Sequence, residues 1–189
     1  MSIRQTVVRF LFVLGVALIL GPTLVAAQAT PEASPISGDR IQLGADWILS
    51  QEAADGGWIG FNGTSDAGTT IDAVLALAAA RNAGATVDLT NAQTFLEANG
   101  AAYAQTGSGA AAKLTMAVVA MGLDGRNFAG IDPLGLATAD YNIDTKLYGN
   151  GVYDTGLVLL AYGSLGRSAP GVIIDSLDKL QISDGSWAF

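Results

Sequence analysis

Three stretches of the chain are almost wholly apolar, and they recur at a fixed interval. DAVLALAAARNAG begins at Asp72, KLTMAVVAMGLDG at Lys113 and DTGLVLLAYGSLG at Asp154. Their starts are 41 residues apart, as are Gly84, Gly125 and Gly166, which close them. A helix that is apolar all round is buried all round, and a glycine just past its end suits the left-handed C′ position. Each stretch is therefore predicted as a buried inner helix. The segments between them are more polar and amphipathic. Residues 40–51 carry Ile41, Leu43, Trp47 and Ile48 among polar neighbours, and 89–103 place Leu89, Phe95 and Leu96 on one side, with Asp88 or Thr90 as cap. Asp132-Pro133 is a capping acid before a proline at the first helical position, which starts a helix over 133–141. Residues 168–181 space Val172, Ile173, Leu177 and Leu180 helically. The predicted order is outer, inner, outer, inner, outer, inner, outer. The fold class is all-α, an array of helix hairpins with a repeat of about 41 residues. Alanine and glycine in the inner helices permit close axis approach, so a closed ring of hairpins is the natural geometry.

The pattern changes at the N-terminus. Arg4 and Arg9 precede an apolar run, FLFVLGVALIL, from Phe10 to Leu20, and Gly21-Pro22 ends it. Small residues then allow cleavage after Ala27 or Ala29. This is the layout of a secretory signal peptide over 1–27, with an uncleaved membrane anchor as the alternative. The Pro/Ser/Ala-rich segment 28–38 reads as a tether, and 39–189 as the repeat domain. The chain is expected to be exported, to the cell surface or the medium.

Composition removes several chemistries. The 189 residues include no Cys and no His, so there are no disulfides, no thiolate or imidazole metal ligands, and no Cys–His or Ser–His–Asp nucleophile. The net charge of −8 lacks the basic footprint that nucleic acid requires. No cofactor is evident from any motif. GSGAAA at 107–112 matches a dinucleotide pattern without a preceding strand, and fits better as the small-residue start of an inner helix. NGT at 62–64 is a glycosylation sequon by pattern alone.

Two short motifs mark the ends of outer helices. Gly44, Trp47, Gln51, Gly56 and Trp58 are spaced G-x2-W-x3-Q-x4-G-x-W, and Gln181, Gly185 and Trp187 repeat the end of that pattern after Leu177. This resembles the QW motif of squalene–hopene cyclases and related triterpene cyclases. The wider likeness, over about residues 39–189, is to the terpenoid cyclase/protein prenyltransferase α/α toroids, which include cobalamin carriers and thioester domains. The resemblance implies an α/α toroid in which the motif glutamine caps backbone groups and stacks on the tryptophan, stapling neighbouring repeats. The middle repeats lack Gln and Trp at these places. About six hairpins close such a ring, and three hairpins plus one outer helix fit here, so an incomplete toroid is expected. A fragment of a longer protein is the preferred explanation, ahead of a homodimer of half rings or an open solenoid.

The family's chemistries are not carried by these residues. There is no Asp-x-Asp-Asp run for alkene protonation, no Asp-rich metal motif, and neither the Cys nor the His that prenyltransferases and thioester domains need. No catalytic or metal-ligating residue is assigned. Asp140 and Asp144 read as a solvated pair. The remaining candidates are Asp72, Lys113 and Asp154, which occupy equivalent places in the repeat, with Tyr153 and Tyr162 beside them. They form either a ring of caps and salt bridges or the polar lip of a ligand cavity. The leading function is a non-catalytic binding module for a hydrophobic or cofactor-like small ligand. The alternatives are part of a terpenoid cyclase-like enzyme whose catalytic half lies beyond Phe189, and a structural scaffold.

Overall fold

A computed structural model describes residues 38–187. The segment expected to be a signal peptide and nearly all of the expected tether lie outside the described residues. Gly38, assigned above to the tether, instead opens the first helix. Seven helices follow among the described residues: α1 Gly38–Leu49, α2 Ala67–Asn82, α3 Thr90–Ala104, α4 Ser108–Ala120, α5 Pro133–Ala139, α6 Val152–Ser164 and α7 Gly171–Leu180. Two small antiparallel pairs interrupt them, β1 Trp58–Ile59 with β2 Ser65–Asp66, and β3 Tyr141–Asn142 with β4 Leu147–Tyr148. The domain is thus all-α apart from these two turns.

Local chemistry sets the helix ends. Asp66 caps α2 by accepting from the Thr69 amide at 2.8 Å, and Asp132 caps α5 by accepting from Gly135 at 2.8 Å, with Pro133 at the first turn. Neither Asp88 nor Thr90 is the cap of α3. Leu89 holds that place, and Asp88 instead accepts from the amide and hydroxyl of Thr90. The inner helices α2, α4 and α6 all close alike. A glycine of positive φ follows, and the next amide reaches back five residues: Ala85 to Ala80, Leu123 to Val118, Arg167 to Tyr162. The closing glycines are Gly84, Gly122 and Gly166. Gly125, expected in this role, does another job. A Cβ there would lie 2.9 Å from Val119 and 3.2 Å from Thr115, so it is needed for close packing.

The inner helices run parallel in a row, α4 between α2 and α6. Contacts at both ends fix the direction. Lys113 in the second turn of α4 meets Asp72 in the second turn of α2 at 2.6 Å. Arg81 in the last turn of α2 donates to the Ala120 carbonyl at the end of α4 at 2.6 Å. Gly109 at the start of α4 lies against Asp154 and Leu157 of α6, and Gly125 beyond α4 lies against Leu165 beyond α6. The middle helix is the most deeply buried of the three. Ala111, Leu114, Ala117 and Val118 of α4 are fully buried, and no residue of that helix is exposed. The expectation that all three inner helices are buried all round is corrected: α4 keeps one half-buried side through Lys113, Met116 and Ala120, and α2 and α6, at the ends of the row, are more open. Asp72, Ala76 and Ala79 of α2 and Tyr153 and Leu160 of α6 are exposed. The outer helices α3 and α5 pack on α4 and on their own inner partners, and α1 packs on α2.

The motif turns are built as copies of one design. Trp58 donates its indole N–H to the Ile48 carbonyl at 2.9 Å, and Trp187 donates to the Leu177 carbonyl at 3.0 Å, each ten residues back. Gly56 and Gly185 both take positive φ two residues before the tryptophan. The bridge partner of Trp58 is Glu52 and that of Trp187 is Gln181. Gln181 is therefore the counterpart of Glu52, which corrects its pairing with Gln51. Gln181 does cap its turn, donating to the Gly185 carbonyl at 2.7 Å, whereas Gln51 reaches only the neighbouring Ser50 hydroxyl.

A third copy escapes the sequence pattern. Lys146 has a φ of 62°, and Tyr148, two residues on, is buried like Trp58. Both aromatics give their backbone N–H to a threonine hydroxyl of the next inner helix, Trp58 to Thr70 at 3.0 Å and Tyr148 to Thr155 at 2.9 Å. Lys146 thus stands where the other copies have glycine, and left-handed backbone costs a residue with a Cβ about 1 kcal/mol or more. Lys146→Gly is expected to stabilise the domain by roughly 0.5–1 kcal/mol, read as a higher denaturation midpoint in urea.

Candidate functional site

Counting from the helix caps places the repeat's polar residues. Asp72 is the sixth residue after the cap Asp66 of α2, and Lys113 the sixth after Gly107 of α4. The sixth residue after Gly151 of α6 is Leu157, not Asp154. The inner helices begin at 67, 108 and 152, so the spacing is 41 and then 44. Two of the three extra residues lie between the starts of α4 and α5, and one between the starts of α5 and α6. Asp154 therefore lies one turn nearer the N-terminus than its supposed equivalents, and the expected ring of three is corrected to a pair.

Four side chains do meet at the N-terminal end of the inner row. Asp72 and Lys113 form their ion pair there. Tyr103, in the last turn of α3, lies over Gly68 at the start of α2, where a Cβ would touch its ring at 3.1 Å. Tyr153, in the first turn of α6, is exposed. Burial alone would lower the Lys113 ammonium, but the hydrogen bond to Asp72, with Tyr103 and Tyr153 nearby, holds it above the ordinary lysine value. Burial raises the Tyr103 phenol, with Lys113 pulling the other way. At neutral pH the group is one fixed ion pair flanked by phenols, suited to hydrogen bonding at a rim. Sequence reasoning missed Tyr103; its only signal is its place just before the small-residue start of α4.

Asp154 and Tyr162 go elsewhere. Asp154 accepts from the Asn150 amide at 2.8 Å and its side chain at 3.2 Å, and its other oxygen fills the space a side chain at Gly109 would need. It seals the seam between α4 and α6. Tyr162 lies beside Tyr148, whose ring sits 5.2 Å from that of Tyr141 at 52°. Burial first, then Tyr162, pushes the Tyr148 phenol up to about 12. The folded state holds that proton more tightly than the unfolded chain. Its contribution to stability is full below 10.0, the ordinary value, and is lost as pH rises towards about 12. Tyrosinate absorbance should therefore show the Tyr148 phenol titrating last, with unfolding setting in across that window; Tyr148→Phe should remove that last step.

Below the rim, the helix face that carries Asp72 and Lys113 continues without a cover of outer helices among the described residues. Leu75, Met116 and Leu160 hold the ninth position after each cap, and Ala79, Ala120 and Ser164 the thirteenth. None of these six is buried. Apart from Ser164, whose hydroxyl donates to the Ala161 carbonyl at 2.8 Å, they make an apolar strip across three parallel helices. A separate open cleft of about 320 Å³ lies at the end of α1, lined by Trp47, Ile48, Gln51, Trp58, Ile59 and Thr69. Trp47, expected as part of the repeat staple, is exposed there. Among the described residues no cluster of acids is placed to hold a metal ion. Comparison of the chain with protein-family models, curated proteins and solved structures gives no match.

Proposed function

We propose that the chain is an exported, non-catalytic binding module, built as an arc of an α/α toroid, that takes a hydrophobic or cofactor-like small ligand on the uncovered face of its inner helices. The observation that carries this reading is the shared phase of that face. Three parallel helices present Leu75, Met116 and Leu160 at one shared position, with the Asp72–Lys113 pair one turn above on α2 and α4 and Tyr153 in the first turn of α6. A floor of that kind with a few convergent polar groups is the usual make-up of a small-molecule site. The resemblance to toroid cyclases and cobalamin carriers supports it, since their inner helices face the lumen. The Lys113 ammonium, 19% exposed and paired with Asp72, has three donors, so it can keep that pair and still meet a ligand's acceptor. Titration with 1-anilinonaphthalene-8-sulfonate and with cyanocobalamin tests the reading. At least one should bind, Met116→Lys should weaken binding by tenfold or more with an unchanged circular dichroism spectrum, and Lys113→Ala should weaken it less. Binding lost on Trp47→Ala but kept in Met116→Lys would move the site to the α1 cleft and end this reading. A folded chain that binds neither probe would favour a scaffold.

A further inference from the structure

The turn after α7 copies the turn after α1, and the two differ in what covers them. In both, an amide three residues after the second-turn carbonyl closes the loop, Gly56 to Ala53 and Gly185 to Ile182 at 2.9 Å each. In both the tryptophan indole reaches back to the helix. Yet Ala45 and Trp58 are 1% and 5% exposed against α2, whereas their counterparts 129 residues on, Ile174 and Trp187, are 48% and 40% exposed. The two covered copies of the turn give the aromatic's backbone N–H to a threonine four residues past the next helix's cap, Thr70 or Thr155. That hydroxyl also bonds the cap residue's carbonyl, at 2.8 Å in Asp66 and 2.7 Å in Gly151. Among the described residues no hydroxyl takes up the N–H of Trp187.

We propose that Ile174, Leu177, Ile182 and Trp187 form a docking surface for one further helix of the inner class, rich in alanine and leucine, with threonine at the fourth position after its cap. The packing of α1 on α2 is the template. A small-residue flank lets the axes approach closely, and the threonine satisfies the Trp187 amide. The surface lies on α7 and its turn, apart from the face proposed for a small ligand, so either can fail alone.

The probe is a synthetic peptide of residues 66–84, which carries α2 with Thr70, extended by lysines for solubility and titrated into the whole chain. Labelling with 5-fluorotryptophan gives three tryptophan resonances, from Trp47, Trp58 and Trp187. Saturable movement of the Trp187 resonance alone is expected. Thr70→Val in the peptide should weaken binding several-fold, and Ile174→Lys in the chain, an exposed position, should abolish it without changing the fold. No shift at millimolar peptide, or equal binding by the Ile174→Lys chain, overturns the proposal. Movement of Trp58 would mean exchange with α2 and also overturns it. So does a dimer of the chain alone that Ile174→Lys dissolves, because the occupant would then be a second copy.

Discussion

Gly56→Ala is expected to be among the most damaging single substitutions in the domain, costing roughly 2–5 kcal/mol. Two separate penalties add. The residue has a φ of 83°, which costs a side chain about 1–2 kcal/mol. A Cβ there would also lie 2.5 Å from the Asn91 carbonyl oxygen and 2.8 Å from its carbon. These are backbone atoms at the start of α3, and they cannot swing aside. The Glu52 carboxylate accepts from the Asn91 side chain at 2.8 Å across the same junction, so separation of the turn from α3 would break that bond too. Gly185→Ala is the internal control. It has nearly the same φ, 88°, but its nearest neighbour is the Gln181 amide nitrogen at 4.0 Å. Only the conformational cost of about 1 kcal/mol remains there. Urea unfolding of the two variants should separate them clearly, and equal losses would contradict the packing of the first turn on α3.

Trp58→Ala is expected to cost about 3–5 kcal/mol, as deletion of a buried aromatic does. For a domain of this size that lowers the melting temperature by on the order of 10 °C. Trp58 is 5% exposed, and its indole bond to Ile48 at 2.9 Å fixes the end of α1 over the start of α2. Its replacement opens a cavity and leaves the Ile48 carbonyl with the Gln51 amide, at 3.0 Å, in place of two donors. Trp187→Ala should cost less than about 1.5 kcal/mol, because the same indole bond is made at a surface site that water already reaches. A pair of thermal melts decides the matter. The same two sequence motifs carry different loads, because only one of them is covered by an inner helix.

The repeat was legible in the sequence because every unit must bury one apolar helix, and that requirement writes itself as uncharged runs ended by glycine. The outer helices were legible from spacing, and the cap of α5 from Asp132-Pro133. Register was harder. Matching identical letters aligned Gln181 with Gln51 and Asp154 with Asp72, while the backbone aligns Gln181 with Glu52 and Leu157 with Asp72. A three-residue difference in the connecting segments leaves the apolar run looking periodic but turns the helix by most of a revolution. Gly125 misled for a related reason. Two glycines follow α4, and sequence does not say which one bends the chain and which one admits a neighbour. The Lys146–Tyr148 copy of the turn stayed hidden because its left-handed residue is a lysine. Tyr103 and the threonines that receive the aromatic amides could not be placed, since their partners lie on other helices.

The most direct test of the binding face is a methionine NMR experiment. The sequence has three methionines, of which Met116 sits in the apolar strip and Met121 at the C-terminal end of α4. Methyl-13C methionine labelling of the chain gives few signals, which Met116→Leu and Met121→Leu assign. On saturation with whichever of 1-anilinonaphthalene-8-sulfonate or cyanocobalamin binds, the Met116 methyl should move or broaden while Met121 moves little. A bound probe that leaves Met116 unchanged and perturbs the Trp47 indole instead would contradict the proposal that this chain binds its ligand on the inner helices.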